Sequence, residues 1–331
     1  MLTAQLRRWF WSHGFVEVDT PLAIRAPAPE LHIEAIPVHI CADGFALTRP
    51  EPRFLQPSPE LAMKRLVAMG FGDIFQIAPV FRDGDRSFAH APEFRLLEWY
   101  RPHAPYTALM DDCEQLIAAL AQTAQALVPP PSAQDDAPRL THALWAAPPP
   151  WPRLTVDRCF VAHAGFSLLD ALTLPKLREA VAAQNMHHSA CDSWDDLFHR
   201  VMVSRVEPAL ARCPTPVFVT EFPAAQASLA RLAPHDPRVA ERFELYAWGM
   251  ELANAFGELT DADQQRARFE QTRAQRRLAG RRDYPLDESF LGALHAMPQT
   301  SGIALGLERL MMLLLLTPEI DAISFLPWPD A

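Results

Sequence analysis

The sequence of 331 residues predicts an α+β fold, and three observations carry that reading. Apolar residues recur at helical spacing in several long stretches, segments 74–81 and 94–100 read as two strands of one hairpin, and the longest purely apolar run, Leu310 to Leu316, has seven residues. A membrane-spanning helix needs ~20, so that run is read as a core helix. The chain is long enough to bury a substantial core. Apolar residues at 49% and charged residues at 21% match ordinary globular usage, while 32 prolines predict many stiffened loops. A net charge of −10 argues against bulk attraction to nucleic acid. The five cysteines never come closer than 22 residues, which excludes a CxxC-type pair and predicts a reducing, cytoplasmic setting with no zinc.

The first helix carries Leu2, Leu6, Trp9 and Phe10 on one face and ends at Gly14, with no export signal before it. Phe15 to Val18 alternates as a strand that Pro21 closes, and Pro27, Pro29 and Pro37 mark an extended loop. Ser58-Pro59-Glu60 reads as a helix start, with serine as cap and proline at the first helical position; Gly70 and Gly72 end it. Ile74 to Phe81 and Phe94 to Tyr100, around the turn Asp83-Gly84-Asp85, form a hairpin with a long loop. Thr107 to Leu127 is an amphipathic helix. The window at about 129–152 holds eight prolines and is read as an exposed insertion without regular structure, inside one domain covering 1–331. Beyond it, 167–212 is helical, Val217 to Glu221 is a strand, Ala240 to Ala255 runs from a short helix into a strand, and Asp263 to Leu278 is a charged helix.

Four places could carry chemistry. In the hairpin, Arg82 just after an apolar strand and Phe94 on the return strand can neutralise a phosphate and stack on a flat base, unless Arg82 is an ordinary surface arginine. In Gly302-Ile303-Ala304-Leu305-Gly306-Leu307-Glu308-Arg309, small residues let backbone approach a ligand while Arg309 can meet phosphate oxygens. Around Asn254, the carboxylates Glu251 and Glu258 stand among apolar residues, fitting Mg²⁺, a substrate amine or a merely solvated alternation. Glu60 opens a helix, where an acid also simply suits the dipole. In addition, seven arginines between Arg266 and Arg282 face one acid, Glu270, and read as a solvated helix face or a docking patch.

Taken jointly and in order, the helix-strand-proline at 1–21, the arginine hairpin at 81–100 and the segment ending in Arg309 resemble the three motifs of class II aminoacyl-tRNA synthetases. Ser58-Pro59-Glu60, Leu97-Glu98-Trp99-Tyr100 and the stretch Phe222 to Leu229 narrow the resemblance to lysyl-type enzymes. Within these the chain resembles the truncated elongation factor P lysine ligases, over nearly all its length outside the proline-rich insertion. That resemblance implies an antiparallel sheet flanked by helices, with no anticodon-binding barrel, since the first motif begins at Met1. It implies a cytoplasmic homodimer that uses neither tRNA nor a membrane. The implied reaction is ATP- and Mg²⁺-dependent activation of (R)-β-lysine or lysine to an adenylate, then transfer to a lysine of elongation factor P.

By the same resemblance, Arg82 would meet the α-phosphate, Phe94 would stack on adenine and Arg309 would hold the γ-phosphate, making the two arginines the catalytic pair. Asp83, Gly84 and Ala91 would complete the nucleotide loop, Gly306 would lie beneath the nucleotide, and Glu251 and Leu252 would line the ATP and Mg²⁺ site, with Glu251 and Glu258 as metal carboxylates. Ser58, Pro59, Glu60, Glu98, Tyr100, Asn254, Glu258 and Ala304 would surround the lysine-like substrate. The chain departs from the family where Arg-Asn-Glu becomes Arg82-Asp83-Gly84, with Asp85 as the expected substitute. Ala304 stands where lysyl-tRNA synthetases have glycine. The alternative reading is a catalytically silent, synthetase-like regulatory or binding protein.

Overall fold

Along the central strands of the sheet, apart from one stretch at residues 250–252, odd-numbered residues face a helical layer and even-numbered residues face a cavity. The computed structural model describes residues 1–43, 46–128 and 143–324. Helix α1 (Leu2–Ser12) buries the four apolar residues its spacing predicts, and Gly14 follows at φ 83°. Strand β1 (Val16–Glu17) leads to β2 (Ala23–Ile24), then to β3 (Pro37–Asp43) and β4 (Ala46–Leu55). The last three form a side sheet in the order β2-β4-β3, so the expected extended loop stops at Ile36. Prolines at 37, 50 and 52 read as breakers, yet they fit a small ribbon where few amides need partners.

Helix α2 (Glu60–Ala68) starts one residue later than expected: Pro59 is the cap residue, while Ser58 Oγ accepts the Glu60 amide at 3.0 Å. Strands β5 (Ile74–Phe81) and β6 (Glu93–Pro102) pair antiparallel, and α3 (Thr107–Leu127) follows. The insertion's residues 129–142 lie outside the described residues. Its end is not exposed, because Leu144 and Trp151 are buried in the main core, where apolar area outweighs the local proline content. Strand β7 (Arg153–Thr155) runs straight into α4 (Val156–Ala164), whose first turn is capped by Thr155. Helices α5 (Leu174–Ala183), α6 (Trp194–Val201) and α7 (Glu207–Leu210) complete a helical lobe interrupted by turns.

Strand β8 (Val217–Thr220) returns to the sheet, β9 (Leu232–Ala233) and β10 (Asp236–Ala240) form a ribbon, and β11 (Arg242–Ala247) and β12 (Met250–Gly257) form a hairpin. The short helix expected near Ala240 is strand instead: burial on both faces of a central strand removes the alternation that distinguishes it from a helix. Helices α8 (Ala262–Leu278) and α9 (Glu288–Ala293), strand β13 (Thr300–Gly306) and helix α10 (Leu307–Leu315) finish the description. No helix among the described residues is long and apolar enough to cross a membrane.

The main sheet has the order β1-β5-β6-β13-β12-β11-β8-β7. It is antiparallel from β5 to β8, as expected, but its two outer pairs, β1 with β5 and β7 with β8, are parallel. Each parallel pair is joined by a long crossover, through α2 at one edge and the α4–α7 lobe at the other. Leu97, Trp99, Phe243, Leu245, Ala253, Ala255, Ile303 and Leu305 pack against α1, α3 and α10 in one core. At opposite ends of the other face stand α2, α8 and α9 around Tyr100 and Phe256, and the α4–α7 lobe around Tyr246.

Candidate functional site

The register of four strands builds the site. Glu98, Ala304, Asn254 and Glu244 are successive cross-strand partners, forming one transverse row on the even face. Tyr100, Gly302, Phe256 and Arg242 form the next row by the same pairings. Glu251 would point the wrong way in a regular strand. A bulge intervenes: Leu245 pairs with Ala253 while Tyr246 pairs with Glu251, so Leu252 is the extra residue and Glu251 shares the face of Asn254. These rows form the floor of a cavity of about 1740 Å³.

One end of the cavity is cationic and aromatic. The Arg82 guanidinium lies 5.0 Å from the Phe94 ring centroid and its Nε donates to the Pro57 carbonyl at 3.4 Å. Burial pulls its pKa down, with Asp85 and Glu251 opposing; an arginine remains charged even so. Arg309 donates to the Glu251 carbonyl at 2.7 Å and to His90 Nε2 at 2.5 Å. His90 Nδ1 then donates to Ser87 Oγ at 2.6 Å, and burial together with Arg309 lowers the imidazole pKa, so the ring is a neutral acceptor. Glu251 opens to the cavity, and burial plus the neighbouring Glu244 raise its pKa to about 7 against the pull of Arg309, Arg242 and Arg82.

The other end is a cage of carboxylates around one ammonium. Lys64 Nζ lies 2.6 Å from Glu258 Oε2 and 2.5 Å from Glu60 Oε1. The attraction of both carboxylates outweighs burial and holds Lys64 above its ordinary pKa. Glu98 is fully buried, accepts from Ser58 Oγ at 2.6 Å and from the Tyr100 hydroxyl at 3.2 Å, and is pushed by burial and Glu60 to about 8. Asn254 Oδ1 and Glu258 Oε1 are buried acceptors without a hydrogen-bond donor. Three carboxylates against one lysine leave the cage short of positive charge, so a ligand amine is the complement this end selects. Gly302 makes the floor passable: a Cβ there would collide with the Tyr100 ring and with Glu258 Oε1.

Most expected site residues therefore line one cavity: Ser58, Glu60, Arg82, Ala91, Phe94, Glu98, Tyr100, Glu251, Leu252, Asn254, Glu258, Ala304, Gly306 and Arg309. Pro59, Asp83 and Gly84 do not line it. Pro59 caps α2, the Asp83 amide donates to the Glu34 carbonyl, and Gly84 is an exposed turn residue at φ 80°. Asp85 does not line it either, and acts through its charge on Arg82 and His90. Glu251 and Glu258 cannot share one cation. With the extra residue Leu252 discounted, six steps of extended chain separate them by about 20 Å at ~3.3 Å per residue, and Glu258 is engaged by Lys64.

Residues without a local motif complete the site. Glu244 lies one register step from Glu251 and accepts from Arg242 and the Tyr246 hydroxyl, each at 2.6 Å. Glu30 enters from the 25–36 segment, accepts from Ser228 Oγ at 3.0 Å, and is raised in pKa by burial and Glu60. A carboxylate one strand away or 200 residues away leaves no local signal; only the strand register, known in advance, would have revealed Glu244.

The arginine cluster is not a free docking patch. Arg276 is wholly buried, donates to both Glu34 oxygens at 2.9 Å, and lies 4.4 Å from the Tyr284 ring centroid. Arg268 donates to the Ser228 and Ala230 carbonyls, and Arg273 and Arg277 both reach Asp283. These arginines tie α8 to the segments that carry Glu30 and Ser228. Long-range partners, invisible in a run of like charges, set that role.

Comparison with known proteins agrees with this geometry. The family of class II tRNA synthetases (D, K and N) matches residues 1–329. A protein of Pectobacterium atrosepticum named elongation factor P--(R)-beta-lysine ligase is 38% identical over 334 residues, covering 98% of this chain and 92% of its own length. Proteins of the same name from Edwardsiella ictaluri and Haemophilus influenzae are 37% and 36% identical, over 97% and 98% of this chain and 91% and 92% of theirs.

Proposed function

Because the chain belongs to the class II tRNA synthetases (D, K and N) and, within them, to the elongation factor P (R)-beta-lysine ligases, we propose that it joins (R)-β-lysine or lysine to a lysine side chain of elongation factor P at the expense of ATP. The observation that carries this reading is the two-ended cavity. Arginines over an aromatic ring suit a nucleoside triphosphate, and an amine-hungry carboxylate cage suits a lysine-like acid, on one continuous sheet face.

In the first step a carboxylate oxygen of the amino acid attacks the α-phosphorus of ATP, and the bond to pyrophosphate breaks. Arg82 is the group we assign to the α-phosphate, Phe94 to the adenine face and Arg309 to the terminal phosphate. Their work is positioning and neutralising charge as it develops. Glu60, Glu98, Glu258, Tyr100 and Asn254 are assigned to the substrate amines, with Ser58 fixing Glu98 and Ala304 shaping the floor. In the second step the acceptor Nζ attacks the acyl carbon, the bond to AMP breaks, and an amide forms with loss of a proton. Glu244 and Glu251, two carboxylates near enough on the cavity floor for the charge of Glu244 to act on Glu251, fit Mg²⁺ better than the Glu251 and Glu258 pair. Bound there, the ion would neutralise phosphate charge.

Arg82, Arg309 and Glu251 together speak for catalysis over a silent regulatory role, which has no need of a triphosphate clamp. We also read the chain as a homodimer through the open edge at β1, where Val16, Met69 and Phe71 are exposed; analytical ultracentrifugation tests it. The experiment for the function is ATP–pyrophosphate exchange with (R)-β-lysine, α-lysine or no amino acid. Exchange dependent on either amino acid supports the reading. Absence of exchange in folded protein, together with no label transfer to elongation factor P, overturns it.

A further inference from the structure

On the lining of the same cavity, three side chains from two distant parts of the chain converge. His32 comes from the 25–36 segment, while Asp195 and His199 stand one turn apart on α6. One ligand atom from each lies within 4.8 Å of the others. His32 Nε2 is 3.0 Å from Asp195 Oδ2 and His199 Nε2 is 3.5 Å from Asp195 Oδ1. The two rings meet edge to face with centroids 5.6 Å apart.

We propose that His32, Asp195 and His199 form a binding site for a divalent transition metal of the Zn²⁺ type, which fastens the 25–36 segment to α6. Two imidazoles and a carboxylate are a ligand set that Zn²⁺ takes at about 2.0–2.2 Å, with a fourth position left for water or substrate. His32 and His199 approach the two different oxygens of Asp195, at 3.0 and 3.5 Å, and one ligand atom from each residue lies within 4.8 Å of the others, so the carboxylate already draws both imidazoles toward one point. The expected support around the ligands is present too. Gln226 Nε2 donates to Asp195 Oδ1, and the Ser193 capping box fixes the turn that carries Asp195. The site opens to solvent, since His32 and His199 are 58% and 48% exposed, so an ion can enter. The absence of zinc expected from cysteine spacing does not bear on a histidine–aspartate set in which His32 stands 163 positions before Asp195.

The consequence is mechanical. Glu30 lies two residues before His32 and reaches the carboxylate cage, so an ion at this site would fix the backbone that presents Glu30. Occupancy would then set how well the cage is formed, without touching ATP.

The test uses the full chain stripped with a chelator and titrated with Zn²⁺ by calorimetry, alongside Co²⁺ titration followed by visible absorption. The expected result is one equivalent bound, a tetrahedral Co²⁺ spectrum, and affinity at least about tenfold weaker in both H199Q and D195N. H235Q, at an exposed histidine elsewhere, should behave as the unaltered protein. Melting of the metal-free variants checks folding, and H32Q supplies a second exposed ligand change should D195N unfold. Equal affinity in the unaltered protein and in H199Q and H32Q, or no binding at all, overturns the proposal.

Discussion

Lys64 Nζ and Glu258 Oε2 stand 2.6 Å apart with both side chains 1% exposed, and this pair fixes the cage in which every other carboxylate is placed. Glu60 and Glu98 crowd the same ammonium, so the empty cage holds more negative charge than one lysine cancels. A proton or a ligand amine must make up the difference.

That competition predicts a pH dependence. Glu98 is raised from 4.5 to about 8, so in the folded state it carries a proton that the unfolded chain has released. Between those values the native state binds more protons, and its contribution to stability is complete below 4.5 and is lost as pH rises through about 8. Denaturant melts from pH 4.5 to 8 should show that slope, and Glu98→Gln should flatten it. Lysine binding at pH 7 should release protons, read as a dependence of calorimetric enthalpy on the buffer.

The two ends of the cavity should respond separately. Glu258→Gln should raise KM for the amino acid by about tenfold or more while leaving KM for ATP nearly unchanged, as expected when one charged hydrogen-bond partner is lost. Glu251→Gln should instead raise the Mg²⁺ concentration needed for half-maximal exchange. Similar shifts of both quantities in both variants would contradict the separation.

Arg82→Ala and Arg309→Ala should each cost about 10²–10³-fold in exchange rate, the scale of losing one preorganised charge partner. Melting temperatures should change little. A fall in rate that tracks a fall in stability would assign these arginines to structure instead.

Gly302→Ala should abolish amino-acid activation out of proportion to its size, because the added methyl meets Tyr100 and Glu258 at once. Leucine or valine in place of Ala304, which faces Glu98 and Asn254, should alter the preference between lysine isomers by about 1–3 kcal/mol. Competition between isomers in the exchange assay measures it.

The arginines of α8 divide by partner. Arg276→Ala leaves Glu34 without its buried counter-charge and should destabilise the protein by about 3–5 kcal/mol. Arg277→Ala, at 53% exposure, should cost about 0–1 kcal/mol. Urea denaturation of both variants checks the contrast.

Legibility in the sequence follows from how local each signal is. Helix α3 has the bounds its apolar period predicts, and β5 likewise, because twenty-one and eight consecutive residues repeat one instruction. The β3–β4 ribbon was obscured by its prolines, and β11 by being apolar on both faces. Arg276 looked like a solvated charge until Glu34, 242 residues away, supplied its partner. The carboxylates and arginines of the site were readable through their motifs; Glu30, Glu244 and Lys64 were not, since only the pairing of strands and helices brings them in.

One extra residue, Leu252, has an effect far larger than its own contacts. It shifts the phase of β12 by one step, so the strand presents an acid where a regular strand would present a hydrocarbon. If Leu252 instead took the regular place opposite Tyr246, β12 would alternate uniformly and Glu251 would turn toward the helical layer. The sheet would still satisfy its hydrogen bonds, yet an acid would be driven among the leucines of α10. The acid offered to the cavity and the soundness of the core thus depend on the same irregularity, and a sequence that lost it would lose both together.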